Sequence, residues 1–232
     1  MTSPACGRGE ASLRALVVLL VVVAGCAVSV PSKPPPSPPG TSAPPPSAPP
    51  RAEPEVPRRA SGRYEVVPGG AMARRGRGKV IRYLVEVERG LPFGTRAFAA
   101  EVHRTLNDPR GWGRFRRVDG PPVRLRVALS SPRLTDRECV PLRTSGDLSC
   151  WNGSRSVINA RRWAEGVPQY GGDLAAYRRY LINHEVGHAL GHRHARCPRR
   201  GRLAPVMAQQ SKSLHGCRPN PWPHPERGRE ER

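Results

Sequence analysis

The chain has 232 residues, enough for one domain or a small pair. Its 39 Lys and Arg against 18 Asp and Glu give a formal net charge of +21, an excess that raises nucleic acid or an anionic surface as a partner. Only 5% of the residues are aromatic and the arginines are scattered, so a base-stacking groove for nucleic acid is not indicated.

The N-terminal quarter does not read as a fold. Met1 to Arg14 carries Arg8 and Arg14, and Ala15 to Ala24 is an apolar run too short for an ordinary membrane span but right for a signal-peptide core. It ends in Val23-Ala24-Gly25-Cys26, which resembles a bacterial lipobox. Residues 1–26 are therefore expected to be a lipoprotein signal, cut before Cys26, whose thiol carries the lipid. An ordinary signal peptide cut after Ala27 or Ser29, or an uncut anchor, is the alternative. Each version puts the remainder outside the cytoplasm, on the outer face of the membrane or secreted, which sets nucleic acid aside as a partner.

Residues 27–62 are expected to be a disordered tether. Pro31 to Pro57 holds thirteen prolines among serine and alanine, too little apolar surface to pack. As polyproline II at about 3.1 Å per residue, it reaches on the order of 80 Å.

From Arg63 onwards folding signals begin. Gly76-Arg77-Gly78-Lys79 hints at a phosphate loop but lacks the first glycine at the needed spacing, and Val80 stands where Ser or Thr belongs, so it is rejected. Ile81, Tyr83, Val85 and Val87 alternate with mostly polar neighbours, as in a half-buried strand, and Val123, Leu125, Val127 and Leu129 repeat the pattern. Between them Phe98, Val102 and Leu106 stand four apart over Arg96 to Leu106, a helix that Asn107-Asp108-Pro109-Arg110-Gly111 terminates. Ser156 to Asn159 is a further short strand. Asp173 then stands as the N-cap of a helix over Leu174 to Gly191. Leu174, Tyr177, Leu181, His184 and His188 lie on one of its stripes, while Ile182, Val186 and Ala189 form another apolar side. A helix apolar on two sides belongs at the centre of a domain.

That helix carries the chemistry. His184 and His188 are four apart, hence on one face and able to chelate one ion. Glu185 lies about 100° further round, placed to hold a water at the metal and take its proton as general base. Zinc with three protein ligands keeps a fourth position for that water. Gly191 tolerates the left-handed conformation that ends helices, so the chain can turn there and bring His194 back as third ligand. His192 is the rival third ligand, reached by a tighter bend.

Cysteine use agrees with export. Besides Cys6 and Cys26 there are Cys139, Cys150, Cys197 and Cys217, an even number that allows three pairings. Cys139 with Cys150 and Cys197 with Cys217 are favoured, because each closes a short local loop and the second encloses Met207. The spacings hold no C-x-x-C pair, so a cysteine metal site is not favoured. The charged segment 226–232 is expected to be a disordered tail.

His184-Glu185-Val186-Gly187-His188-Ala189-Leu190-Gly191-His192-Arg193-His194 resembles the metzincin metalloprotease signature H-E-x-x-H-x-x-G-x-x-H at all five fixed positions. Ala204-Pro205-Val206-Met207-Ala208 is similar to the methionine turn of that class, which implies that Met207 supports the histidines by packing and does not bind the metal. Ala195 matches none of the subfamily markers and no tyrosine follows Met207, so the resemblance does not reach a subfamily. The wider pattern, with Tyr177 to Asn183 before the motif and Cys217-Arg218-Pro219-Asn220-Pro221-Trp222 after it, is similar to the uncharacterised exported bacterial family DUF3152.

The resemblance implies an α+β, metzincin-like domain over residues 63–225: a mixed twisted sheet, a central zinc-binding helix and a small C-terminal subdomain with the methionine turn. It also implies that a strand in the region of Val157 to Asn159 is an edge that pairs antiparallel with substrate, an ordinary sheet strand being the alternative. The function expected is a zinc-dependent endopeptidase, extracellular and lipid-anchored, acting on peptide or protein with one catalytic Zn²⁺. A non-catalytic cell-wall or partner-binding lipoprotein with a vestigial zinc site, or a zinc amidase acting on peptidoglycan peptides, are the alternatives. Attraction to anionic lipid or wall polymers is a secondary expectation from the charge.

Overall fold

A computed structural model describes residues 55–228 of the protein. The expected signal peptide, the lipobox with Cys26 and most of the proline-rich tether lie outside those residues, as do residues 229–232. The fold starts earlier than Arg63: Val56 packs against the core, Arg58 O accepts from Arg133 N at 2.9 Å, and Gly62 N donates to Glu88 Oε1 at 2.8 Å. At the other end a 3-10 turn, Pro225–Gly228, runs into what was expected to be the tail.

Among the described residues the architecture is α+β, a mixed six-stranded sheet with four α-helices. In chain order come β1 (Tyr64–Val66), β2 (Val80–Glu88), α1 (Thr95–Leu106), β3 (Arg114–Arg117), β4 (Leu125–Ser130), α2 (Pro132–Glu138), β5 (Cys150–Trp151), β6 (Ser156–Asn159), α3 (Ala160–Glu165) and α4 (Leu174–Ala189). The sheet order is β1-β2-β4-β6-β5, with β3 also paired to β2. β2 is the longest strand and organises the rest. Its C-terminal half pairs antiparallel with β1, its N-terminal half pairs parallel with β3, and β4 runs parallel along its other side.

The alternation in β2 and β4 sorts side chains between the two faces. Tyr83, Val85, Val87, Leu125, Val127 and Leu129 turn to the main core, where Phe98, Val102 and Leu106 of α1 and the apolar side chains of α4 meet them. α1 ends where the Asn107 signal places it, because the Asn107 side chain accepts from Phe115 N at 3.0 Å and donates to Phe115 O at 3.0 Å, tying the helix end to β3. On the opposite face of the sheet α2 packs over β4 and β6, and Val157 clusters with the Cys139–Cys150 disulfide.

α4 begins as expected: Asp173 Oδ1 accepts from Ala176 N at 2.9 Å. Tyr177 and all of Tyr180 to Gly187 are buried, which explains why this helix shows no single polar face. Among the described residues no helix is long and apolar enough to cross a membrane.

Candidate metal centre

α4 raises His184 and His188 one turn apart on the face that looks into a cleft, with ring centroids 4.8 Å apart. The helix then closes in a Schellman arrangement: Gly191 N donates to His188 O and His192 N to Gly187 O, both at 2.9 Å, with Gly191 at φ +96°. That left-handed residue turns the chain so that His194 comes back beside the helix.

His194 and not His192 completes the cluster. One nitrogen from each of His184, His188 and His194 lies within 4.8 Å of the others, and His188 Nε2 stands 3.1 Å from His194 Nε2. His192 turns away and stacks on Trp112, centroids 4.2 Å apart and planes 19° apart. Its backbone still serves the site, because His192 O accepts from His188 Nδ1 at 2.8 Å. Val206 O does the same for His184 Nδ1 at 2.8 Å. A carbonyl only accepts, so both rings carry the proton on Nδ1 and present an Nε2 lone pair.

These residues fit a zinc ion. With Zn–N bonds of about 2.0–2.1 Å, tetrahedral ligand nitrogens stand about 3.3 Å apart, close to the His188–His194 separation. Burial pushes His184 down to about 3; burial, with His192 nearby, also lowers His188, and burial, with His188 and Lys212 nearby, lowers His194, which favours the neutral form that binds metal.

Glu185 lines the same cleft and is the one acid among its described lining residues. It is only 5% exposed, and burial pushes its carboxyl up to about 8. The cleft has a volume of about 390 Å³, with the histidines on one side and Leu142, Thr144, Leu148 and Trp151 on the other. That second wall is the loop closed by the Cys139–Cys150 disulfide, which continues into β5. Val157 to Asn159 is not the edge strand beside the cleft: β6 sits between β4 and β5, and β5 forms the edge. Residue patterning reveals which face a side chain takes but not which strands are neighbours, so the edge was misplaced by one strand.

Beneath the histidines lies the turn Pro205 to Ala208, closed by Ala208 N to Pro205 O at 2.9 Å. Val206 O holds His184, Met207 O accepts from Ala195 N at 3.0 Å next to His194, and Ala208 O accepts from Tyr180 OH at 2.9 Å. The Cys197–Cys217 disulfide encloses this turn; both disulfides are the pairs favoured from the sequence. A buried amide network anchors the segment. Gln210, 0% exposed, accepts from Tyr170 OH and Asn220 N at 3.0 Å each and donates to Pro205 O at 3.2 Å and Asn220 O at 2.8 Å. Gln210 and Trp112 were not singled out in the sequence, where polar or isolated aromatic residues outside a periodic pattern give no signal, and Asn220 entered only as part of a family pattern.

Gly187, at a variable position of the motif, also carries a role that the sequence reading did not assign. A Cβ there would stand 2.4 Å from Met207 Sδ and 2.9 Å from Trp112 Cζ2. The available signal was a glycine inside a helical run, where it costs up to about 1 kcal/mol unless something needs the space. Gly187→Ala is therefore expected to destabilise the protein by about 1–3 kcal/mol despite alanine's better helix propensity. Denaturant unfolding of the variant checks this; a gain in stability would show that Met207 and Trp112 move aside freely.

The fold and site define a class: an exposed cleft on an α+β domain, with three histidines and a buried carboxyl meeting in it. The chain matches the family model described as "Protein of unknown function (DUF3152)" over residues 50–225 and belongs to that family. No curated protein and no solved structure matches it.

Proposed function

We propose that the protein is a zinc-dependent endopeptidase of metzincin type, with α4 as its zinc helix and Ala204 to Ala208 as its methionine turn. The observation that carries this reading is the grouping of one ring nitrogen from each of three histidines, within 4.8 Å of one another, in an open cleft beside a single acid. Structural zinc sites have four protein ligands, often cysteines. Here the described residues offer three, and Cys139, Cys150, Cys197 and Cys217 are all in disulfides. A three-ligand site facing a cleft leaves room for substrate.

His184, His188 and His194 hold the ion, and Val206 O and His192 O fix the tautomer and orientation of the first two. Zinc bound there supplies Lewis acidity, bringing the pKa of a water to about 7 and polarising a carbonyl. Glu185 takes the proton of the attacking water and returns it to the leaving amine. Met207, packed against Gly187, supports the helix beneath His184 and His188. The free edge of β5 offers backbone groups to an extended peptide lying across the cleft. The leader and Cys26 point to an exported, lipid-anchored protein, and two disulfides suit that compartment.

The test is hydrolysis of an unfolded polypeptide and of wall peptides by the zinc-loaded protein, before and after chelation. Polypeptide cleavage that chelation abolishes and zinc restores is expected. Cleavage of wall peptides alone would make it a zinc amidase; zinc binding with no cleavage of either would leave a non-catalytic lipoprotein with a vestigial site.

A further inference from the structure

Three arginines stand in register across the middle of the sheet. Arg82 of β2 pairs with Arg116 of β3, and on the other side Arg124 N donates to Arg82 O at 3.0 Å, one residue before the Tyr83–Leu125 pair. Tyr83, Phe115 and Leu125, the next residues along, all turn into the core. The pleat therefore sends Arg82, Arg116 and Arg124 to the opposite face, where all three are exposed. Adjacent strands lie about 4.8 Å apart, so this is a row of like charges directly opposite one another, an arrangement that destabilises a sheet.

None of the three has a carboxylate partner among the described residues, and Arg82 Nε instead donates to Pro122 O at 3.1 Å. Arg114, also on β3, is held in the same way by Arg74 O and Gly78 O, both at 2.9 Å. The preceding segment adds Arg75, Arg77 and Lys79. Several arginines elsewhere are paired, Arg126 and Arg155 with Glu86, Arg161 with Asp147 and Glu165, Arg110 with Asp108, while others without an ion pair among the described residues, such as Arg196, Arg199 and Arg200, lie on irregular segments. What sets Arg82, Arg116 and Arg124 apart is their register side by side on one sheet face. One apolar side chain borders it: Val80, 36% exposed, two residues before Arg82 on the same face of β2.

We propose that this arginine row is a docking face for an anionic phospholipid surface. Guanidinium groups bind phosphate through paired hydrogen bonds, and a flat sheet face meets many headgroups at once. An apolar side chain among the cations favours a bilayer interface over a soluble polyanion, since it gains only where acyl chains are within reach.

The experiment is co-sedimentation of residues 27–232, which keep every described element and both disulfides, with phosphatidylcholine vesicles that contain or lack phosphatidylglycerol. Binding only to the anionic vesicles, weakened by added salt, is expected. The triple variant Arg82→Gln, Arg116→Gln, Arg124→Gln should bind about 100-fold more weakly, because each surface cation contributes about fivefold. It should also unfold at a temperature no lower than the parent, since a like-charge row has been removed. A control with equal net charge, Arg196→Gln, Arg199→Gln, Arg200→Gln, should bind like the parent. Equal loss in the control, or no binding by the parent, would overturn the proposal. Tight binding of linear polyphosphate with none to vesicles would overturn the lipid assignment.

Discussion

Replacing Glu185 with glutamine is expected to leave zinc bound and to lower peptide hydrolysis by about 10²- to 10⁴-fold, the usual contribution of a general base. This corresponds to about 3–5 kcal/mol of transition-state stabilisation. Zinc stays because Glu185 is not among the three grouped ligand residues. Glutamine keeps the shape of the buried side chain, so the fold stays as well, and the loss falls on kcat with KM little changed. The environment of Glu185 suits the role. Burial pushes the carboxyl up to about 8. A dication among the neighbouring imidazoles acts in the opposite direction, and a base poised between these influences works near neutral pH. Full activity in the variant would remove Glu185 from the mechanism.

The second large effect concerns the Cys197–Cys217 disulfide. Its 20-residue separation predicts about 3 kcal/mol of stabilisation from loop closure, or about 6–12 °C in Tm for a domain of this size. The same loop holds Val206, whose carbonyl orients His184, and Met207, which packs on Gly187. A Cys197→Ala, Cys217→Ala variant should therefore also bind zinc more weakly, by about 10- to 100-fold, the usual cost of disturbing groups that orient metal ligands. The Cys139→Ala, Cys150→Ala variant is the contrast: its loop forms the far wall of the cleft and touches none of the histidine orienters, so it should raise KM and spare zinc affinity. Thermal unfolding and competitive zinc titration of both variants check this. Equal zinc affinity in the parent and the Cys197, Cys217 variant would show that the turn holds its shape without the disulfide.

The legible parts of this fold are those whose residues repeat or cap. The start of α4 could be located from Asp173 and its end to within two residues from Gly191, where the helix stops at Ala189, and β2 and α1 from their periods of two and near four. β1, β3 and β5 were not legible. Arg114-Phe115-Arg116-Arg117 shows one apolar residue, and Cys150-Trp151 is two residues long, so neither produces a period; pairing with a long neighbour makes them strands. β4 starts at Leu125 and not at Val123, because the alternation continues past the point where pairing with β2 begins. In the site, spacing was enough to group His184, His188 and His194 and to favour the correct disulfides. Which of His192 and His194 turned inward depended on Trp112, eighty residues away along the chain and stacked on His192. Gly187 and Gln210 depended on contacts with Met207 and Asn220, which local sequence does not carry. The arginine row was hidden for a related reason: in one strand each arginine is an ordinary polar position, and only the register across three strands makes them a group.

The most direct test of the central claim is metal content by elemental analysis of the purified, disulfide-bonded protein, beside a His184→Ala, His188→Ala variant. One zinc per chain, absent from the variant while its fold is retained, is the result expected from the three grouped histidines. No zinc in the folded protein after zinc is supplied would contradict the account and leave a cleft whose histidines serve another purpose.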